Sequence, residues 1–251
     1  MTDSNIDTRR SPLSAWDQLT EHQRELAVRV SICAENGDAQ GVVRFLELGG
    51  DPKMEDSCAL RMAAYHGHAE CVRLLIPVSE PHSMDSWALA FAAANGFAEC
   101  VRLLIPVTNP GVEDCRALRC AAKAGRSECV KLLIPVSDPL ADDCQALRWA
   151  AENGRVECAR LLLPVSGPLV EIDGILPLSL AAGHADVVAI LLECEPRLLH
   201  GINLLAERSS ARARGLPELD ALLSSIIDAQ ALSSIAASPE AHGEPARRPR
   251  L

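Results

Sequence analysis

The chain has 251 residues, a net charge of −10, and 48% hydrophobic but only 3% aromatic residues. The acidic balance disfavours binding to nucleic acid, because contact with phosphates needs clustered Lys and Arg. The polar stretch from Met1 to Arg10 is unlike a Sec leader, and no run approaches the roughly 20 apolar residues of a membrane span, so we expect neither Sec export nor membrane insertion.

The first predicted elements precede any repetition. Residues 1–19 are predicted to be an N-terminal lead with one short helix, and Thr20, followed three residues later by Gln23, matches a capping box. The helix that starts there should end near Gly37. A second helix then extends to a turn at Asp51.

One phrase of the chain returns at a fixed spacing. The stretch from Ala59 to Pro77 recurs at 88–106, 117–135 and 146–164, each copy displaced by 29 residues. A constant period of this length indicates stacked supersecondary units, each of which needs its neighbours to bury its apolar face.

Two stretches show which repeat this is. Gly37 to Asp51 (GDAQGVVRFLELGGD) resembles the second half of an ankyrin repeat, and Asp173 to Ala182 (DGILPLSLAA) is similar to the family's Asp-Gly-x-Thr-Pro-Leu-His-Leu-Ala-Ala. The resemblance covers roughly residues 24–203. It implies a stack of antiparallel helix pairs joined by projecting loops.

The predicted fold is therefore an all-α, ankyrin-like solenoid at 20–228, with about six repeats and a degenerate C-terminal capping helix pair, followed by a disordered tail at 229–251. The 29-residue copies are shorter than the family's repeat of about 33 residues, and a proline ends each second helix. We therefore expect short irregular loops in place of full β-hairpin fingers.

Aspartates stand at one position of each central copy. Because Asp is a strong N-cap, these residues are predicted to cap the first helix of each copy, which would then start about two residues earlier than the family pattern. They are Asp56, Asp85, Asp114 and Asp143.

The cysteines and histidines favour structural roles. A ladder of Cys71, Cys100, Cys129 and Cys158 is predicted to be buried as small hydrophobic residues, whereas Cys115 and Cys144 should be more exposed. His66 and His68 lie in one turn. No Cys-x-x-Cys pair, phosphate-binding glycine loop or catalytic motif occurs, so we expect no metal, no cofactor and no enzymatic activity.

Positions that vary between copies are the candidates for specificity. In the ankyrin family the partner usually lies along the concave face of inner helices and loop tips. The matching protein-binding candidates here are Tyr65, His66, Trp87, Asn95, Arg116, Arg119, Lys123, Arg148, Glu152 and Asn153. Trp149 aligns with Met62, Phe91, Cys120 and Leu180, and all five are predicted to be core.

The predicted function is a non-catalytic module that binds a protein partner, with a basic partner favoured by the acidic charge, no nucleic acid or membrane, and a monomeric state. Its expected setting is the cytoplasm, or a host cell reached by a bacterial effector secreted without a Sec signal. The alternatives are an immunity protein that caps a basic toxin, a structural scaffold, and an enzyme with Cys115 or Cys144 as nucleophile.

Overall fold

The computed structural model describes residues 20–81, 83–166, 174–194, 196–199 and 202–236. Regular structure in these ranges consists of fourteen α-helices and short 3-10 turns, with no strand. The predicted all-α solenoid is confirmed. The lead at 1–19, with its short helix, lies outside the described residues.

The helices follow one another as six pairs and a final pair. In chain order they are α1 (Glu21–Asn36), α2 (Ala39–Glu47), α3 (Met54–His66), α4 (Ala69–Leu75), α5 (Ser83–Asn95), α6 (Ala98–Leu104), α7 (Val112–Ala124), α8 (Ser127–Leu133), α9 (Ala141–Glu152), α10 (Val156–Leu162), α11 (Ile175–Ala182), α12 (Ala185–Cys194), α13 (Leu204–Ala213) and α14 (Pro217–Ala236).

The pairs stack into two layers. Odd-numbered helices from α1 to α11 pack side by side as an inner layer, and even-numbered helices from α2 to α12 pack as an outer layer. Each pair is one repeat unit, numbered one to six. Helices α13 and α14 pack on each other, and α14 also contacts α12.

Small and branched apolar residues fill the space between the layers. In unit two the pair Ala63 and Ala64 is fully buried, which lets neighbouring helices approach closely, and Leu60 and Leu75 are buried with them. The cysteine ladder joins this core, since Cys71, Cys100, Cys129 and Cys158 are all at most 1% exposed. The predicted burial of the ladder is confirmed.

The first helix is capped as the sequence indicates. The Thr20 hydroxyl accepts a hydrogen bond from the Gln23 backbone N–H at 3.3 Å, and the Thr20 N–H donates to the Gln23 side chain at 3.0 Å. These two bonds are the reciprocal pair of a capping box.

Proline ends the outer helices of the central units. After α4, Ile76–Val78 forms a 3-10 turn that contains Pro77, and α6, α8 and α10 end in the same way. The chain then enters the next inner helix after a few residues. Within the described residues these connections contain no β-hairpin, as the short period predicts.

The aspartates do not cap the inner helices. Helices α3, α5, α7 and α9 begin two residues before the predicted caps, and the residues that precede α3, α7 and α9 make no side-chain cap bond. In α9, Asp142, Asp143 and Cys144 have left-handed backbone angles, with φ between 53° and 57°. An N-cap needs extended backbone, so Asp143 is not a cap, and the other three aspartates lie inside their helices. The capping prediction is therefore wrong, whereas the predicted early start of the inner helices is confirmed.

The left-handed backbone serves a different purpose. Ser57 and Cys115, 58 residues apart, also have positive φ, at 59° and 61°. Each side chain accepts a hydrogen bond from a backbone N–H that follows its own outer helix: Glu80 to Ser57 Oγ at 3.0 Å, and Asp138 to Cys115 Sγ at 3.1 Å. These bonds fix the connection between units.

A second set of bonds joins inner helices α1, α5, α7 and α9 to the next unit. The residue after the turn glycine reaches back to a carbonyl at the end of the preceding inner helix, as Arg126 Nε does to the Ala94 carbonyl at 3.2 Å. Gly96 makes room for this contact, because a Cβ there would lie 2.8 Å from Arg126 Cδ. The same bond is made by His68 to Glu35, Arg155 to Lys123 and His184 to Glu152, at 2.9 to 3.1 Å.

The C-terminal end extends further than the sequence suggests. Helix α14 continues to Ala236, so the helical region passes the predicted boundary at residue 228 by eight residues. Arg208 and Arg212 of α13 each donate to Asp220 of α14 at 2.9 Å, and these hydrogen bonds hold the pKa of the Asp220 carboxyl below its ordinary value. The remainder of the predicted tail, 237–251, lies outside the described residues.

The bond to the preceding helix end should contribute measurably to stability. We expect Arg126→Ala to lower the free energy of unfolding by about 1 kcal/mol, because an inner-helix carbonyl loses a charge-assisted hydrogen bond. The measurement is urea unfolding followed by circular dichroism. Arg73→Ala is the control, since it removes only an exposed i, i+3 pair worth about 0.2 to 0.5 kcal/mol; equal losses in the two variants would contradict the role of Arg126.

The connection between units gives a second test. We expect Ser57→Ala to cost about 1 kcal/mol of unfolding free energy, because Ser57 is 1% exposed and its loss leaves the Glu80 N–H without this acceptor. Ser57→Cys should be close to neutral, because Cys115 fills the equivalent role. Chemical denaturation of both variants decides the point: equal destabilisation would show that the acceptor atom is irrelevant.

Candidate functional site

A cleft of about 390 Å³ opens on the exposed side of the inner helices in units three to five. Helices α5, α7 and α9 provide its walls. Its lining residues are Trp87, Ala90, Phe91, Ala94, Arg116, Arg119, Cys120 and Trp149.

The cleft exists because one unit has small residues where its neighbours have long ones. Ala90 of α5 is aligned with Arg61, Arg119 and Arg148 of the other central units. Ala94, one helical turn further, is aligned with Tyr65, Lys123 and Glu152. Both alanines are on the same face of α5, so the missing side-chain volume is continuous.

Aromatic rings form one wall. The rings of Trp87 and Phe91 meet edge to face, with centroids 5.0 Å apart, and Phe91 meets Tyr65 of α3 in the same way at 5.6 Å. Such pairs contribute about 0.5 to 1.5 kcal/mol beyond their buried area. The aromatic surface is therefore held in place before any ligand arrives.

Cations lie over the rings. The guanidinium carbon of Arg116 is 4.4 Å from the centre of the Trp87 ring, and the ammonium of Lys123 is 4.9 Å from that of Trp149. Arg119 approaches Trp149 from the same helix as Lys123, at 5.6 Å. Cation–π contacts of this kind restrain long side chains that would otherwise be mobile.

One carboxylate reaches the cleft. Asp142 accepts a hydrogen bond from Arg119 at 2.7 Å. The Arg119 side chain is only 16% exposed, whereas that of Asp142 is 48% exposed. The arginine is thus part of the cleft wall, and its carboxylate partner is accessible to solvent.

Of the predicted binding residues, the structure brings five together. Trp87, Arg116 and Arg119 line the cleft, Lys123 stands at its edge on Trp149, and Tyr65, 45% exposed, extends the aromatic wall.

The other five predicted residues lie away from the cleft. Asn95 and Asn153 bond carbonyls of their own helices at 3.0 and 2.8 Å, and His66 faces Glu35 with 4.0 Å between the nearest side-chain atoms. Arg148 points towards Gly174 in the next unit, and Glu152 is exposed at the end of α9.

Sequence reasoning placed three of the lining residues wrongly, namely Phe91, Cys120 and Trp149. Phe91 and Trp149 were expected in the core, as were Met62 and Cys120, yet all four are partly exposed, and of the five aligned residues only Leu180 is buried, at 3%. The alignment of the repeats could have indicated that the rings are exposed, because Ala90 and Ala94 are too small to cover the rings beside them.

The two cysteines considered as nucleophiles are buried, whereas Cys120, which lines the cleft, is partly exposed. Cys115 and Cys144 were expected to be exposed, but they are 2% and 0% exposed, and the Cys144 thiol donates to the Ser166 carbonyl at 3.3 Å. Their side chains point into the connection between units. In the ladder, burial raises the pKa of Cys100 and Cys158 to about 11, so both thiols stay protonated near neutral pH.

The outer layer presents a different surface. Among the described residues, three i, i+3 ion pairs lie on it: Glu70–Arg73, Glu99–Arg102 and Glu128–Lys131, at 3.2 to 3.6 Å. Their side chains are about half exposed, so this face of the outer layer is solvated and its ion pairs contribute little to stability.

A further cleft, of about 590 Å³, lies beside α1 and includes Val28 and Ile32. It stands at the end of the array, where no described element precedes α1.

Two other kinds of site are absent from the described ranges. No cluster of three or more His, Cys, Asp or Glu side chains there is placed to hold a metal ion. None of the helices in that part of the chain combines the length and apolarity needed to cross a membrane.

Comparison with known proteins gives a consistent result. A family model described as ankyrin repeats matches the chain three times, at residues 30–114, 80–143 and 118–203, which together cover more than half of it. The crystal structure of the human ASB11 ankyrin repeat domain superposes with a TM-score of 0.59 over 70% of this chain and 84% of that chain, at 20% sequence identity. Identity this low is evidence for the fold alone. No curated protein matches the chain.

Proposed function

The chain belongs to the ankyrin repeat family, and from this we propose that it is a non-catalytic protein-binding module whose partner docks on the cleft of units three to five. Ankyrin repeats indicate a protein–protein interaction module. The proposal adds the place at which the partner binds.

The cleft itself is the observation that supports this place. Within one recess it combines two Trp residues, a Phe and two Arg residues, and aromatic and Arg side chains are the types enriched at interface hot spots. Hot spots concentrate in pockets that exclude water. The outer layer, by contrast, carries exposed ion pairs that contribute little to affinity.

Filling the cleft should abolish partner binding without unfolding the protein. We expect Ala94→Tyr to prevent capture of the partner, because the new ring would occupy the recess. Tyr is the residue that unit two has at the aligned position, Tyr65, and the substitution leaves every charge unchanged. The measurement is affinity capture of the full chain's partners, followed by mass spectrometry and then by titration of the purified partner.

Trp87→Ala should weaken the same interaction by at least about tenfold, the loss of a hot spot. Arg73→Ala, on the outer layer, is the matched surface control and should bind like the original protein. Circular dichroism verifies the fold of each variant. A partner that binds Ala94→Tyr and the unchanged protein equally would refute this site.

For the biological setting, we propose a bacterial effector that is secreted into a host cell. The support is the polar stretch from Met1 to about residue 25, which contains several Ser and Thr residues.

A reporter fused to residues 1 to about 25 should be exported by a bacterium with an active type III secretion system and retained by its secretion-deficient mutant. Equal retention in both strains would contradict the effector setting and leave the binding module untouched.

A further inference from the structure

We infer that the cleft binds an acidic segment of its partner, one that presents a carboxylate beside an apolar or aromatic side chain. This inference deepens the proposed function and rests on it. It also reverses the expectation from overall charge, since a protein of net charge −10 would be expected to favour a basic partner.

Cations are concentrated at the cleft, although the whole chain has a net charge of −10. Arg116 and Arg119 line it and Lys123 stands at its edge, so three cations surround the recess. Among the described carboxylates, Asp142 reaches the cleft, where it is paired with Arg119. The cations at the cleft would attract a short acidic segment, whereas the net negative charge of the whole chain would repel it elsewhere.

The pair of Arg119 and Asp142 shows that the cleft accepts a carboxylate. Arg119 is largely removed from water, and a poorly hydrated guanidinium gains most from a charge-assisted bond to a carboxylate. Asp142 is half exposed and is carried by the left-handed stretch that starts α9. A carboxylate of the partner can therefore exchange with Asp142 and keep Arg119 paired.

The rings supply the second half of the recognition. The exposed parts of Trp87, Phe91 and Trp149 lie within the same recess as the cations. A side chain that enters between them would replace the contacts missing at Ala90 and Ala94. Carboxylate and apolar anchor must then be close together in the partner, since the lining residues come from only three adjacent helices.

The probes are three fluorescein-labelled twelve-residue peptides, each with one central Trp. The acidic peptide has flanks of Asp and Glu, the neutral peptide has flanks of Ser and Gln, and the basic peptide has flanks of Lys and Arg. Fluorescence anisotropy with the full chain at low salt gives the affinities. We expect the acidic peptide to bind at least about tenfold more tightly than the basic one, with affinity falling as salt is raised.

Two variants with the same change in net charge isolate the cleft. Lys123→Glu should lower the affinity for the acidic peptide by about tenfold. Lys131→Glu, on the outer helix α8, should change that affinity by less than about twofold. Asp142→Asn should raise the affinity for the acidic peptide, because the competing carboxylate is lost. The fold should be kept, since Asn tolerates the left-handed backbone at this position. Tighter binding of the basic peptide, or equal effects of Lys123→Glu and Lys131→Glu, would overturn the inference.

The two proposals fail in different ways. If the captured partner is lost by Ala94→Tyr but the acidic peptide does not bind, the cleft is the docking site and its preference for acidic segments is refuted. If the partner binds Ala94→Tyr normally, the docking site itself is refuted.

Discussion

Inner helices α1, α5, α7 and α9 each end in a carbonyl that is hydrogen-bonded by a side chain of the next unit. Arg126, Arg155, His68 and His184 all make this bond, and the glycine beneath each one leaves space for it. Helix ends otherwise leave such carbonyls unsatisfied. Because the partner atom lies in the following unit, each of these four helix pairs depends on its neighbour for this hydrogen bond.

This arrangement separates the residues that build the stack from those that are free to vary. The ladder cysteines, the paired alanines and the turn glycines face the interior or the neighbouring unit, and they repeat with little change. The exposed side of the inner helices takes no part in these contacts, so Ala90 and Ala94 can replace longer side chains and open a recess. The site arises from variation that the fold tolerates.

The repeat predicted the fold well because its signals are local. The period, the paired alanines and Pro77 indicate helix pairs with short connections, and the capping box placed the start of α1 correctly. The errors concern features that depend on neighbours. Asp143 looks like a cap but has left-handed backbone, and Phe91 and Trp149 look like core until the small residues beside them are seen in three dimensions. Cys144 is buried because the connection folds over it.

The cleft is a property of the order of the units. Unit three provides the floor and one aromatic wall, unit four the arginines and unit five the opposite Trp. Exchanging units three and four would preserve the composition and the period, yet contacts between units such as Phe91 with Tyr65 and Arg119 with Asp142 would be lost, and the cleft with them. The order of the repeat units therefore determines the binding specificity of this chain. A protein of the same family could acquire a new recess by recombination between its repeats, without any amino-acid substitution.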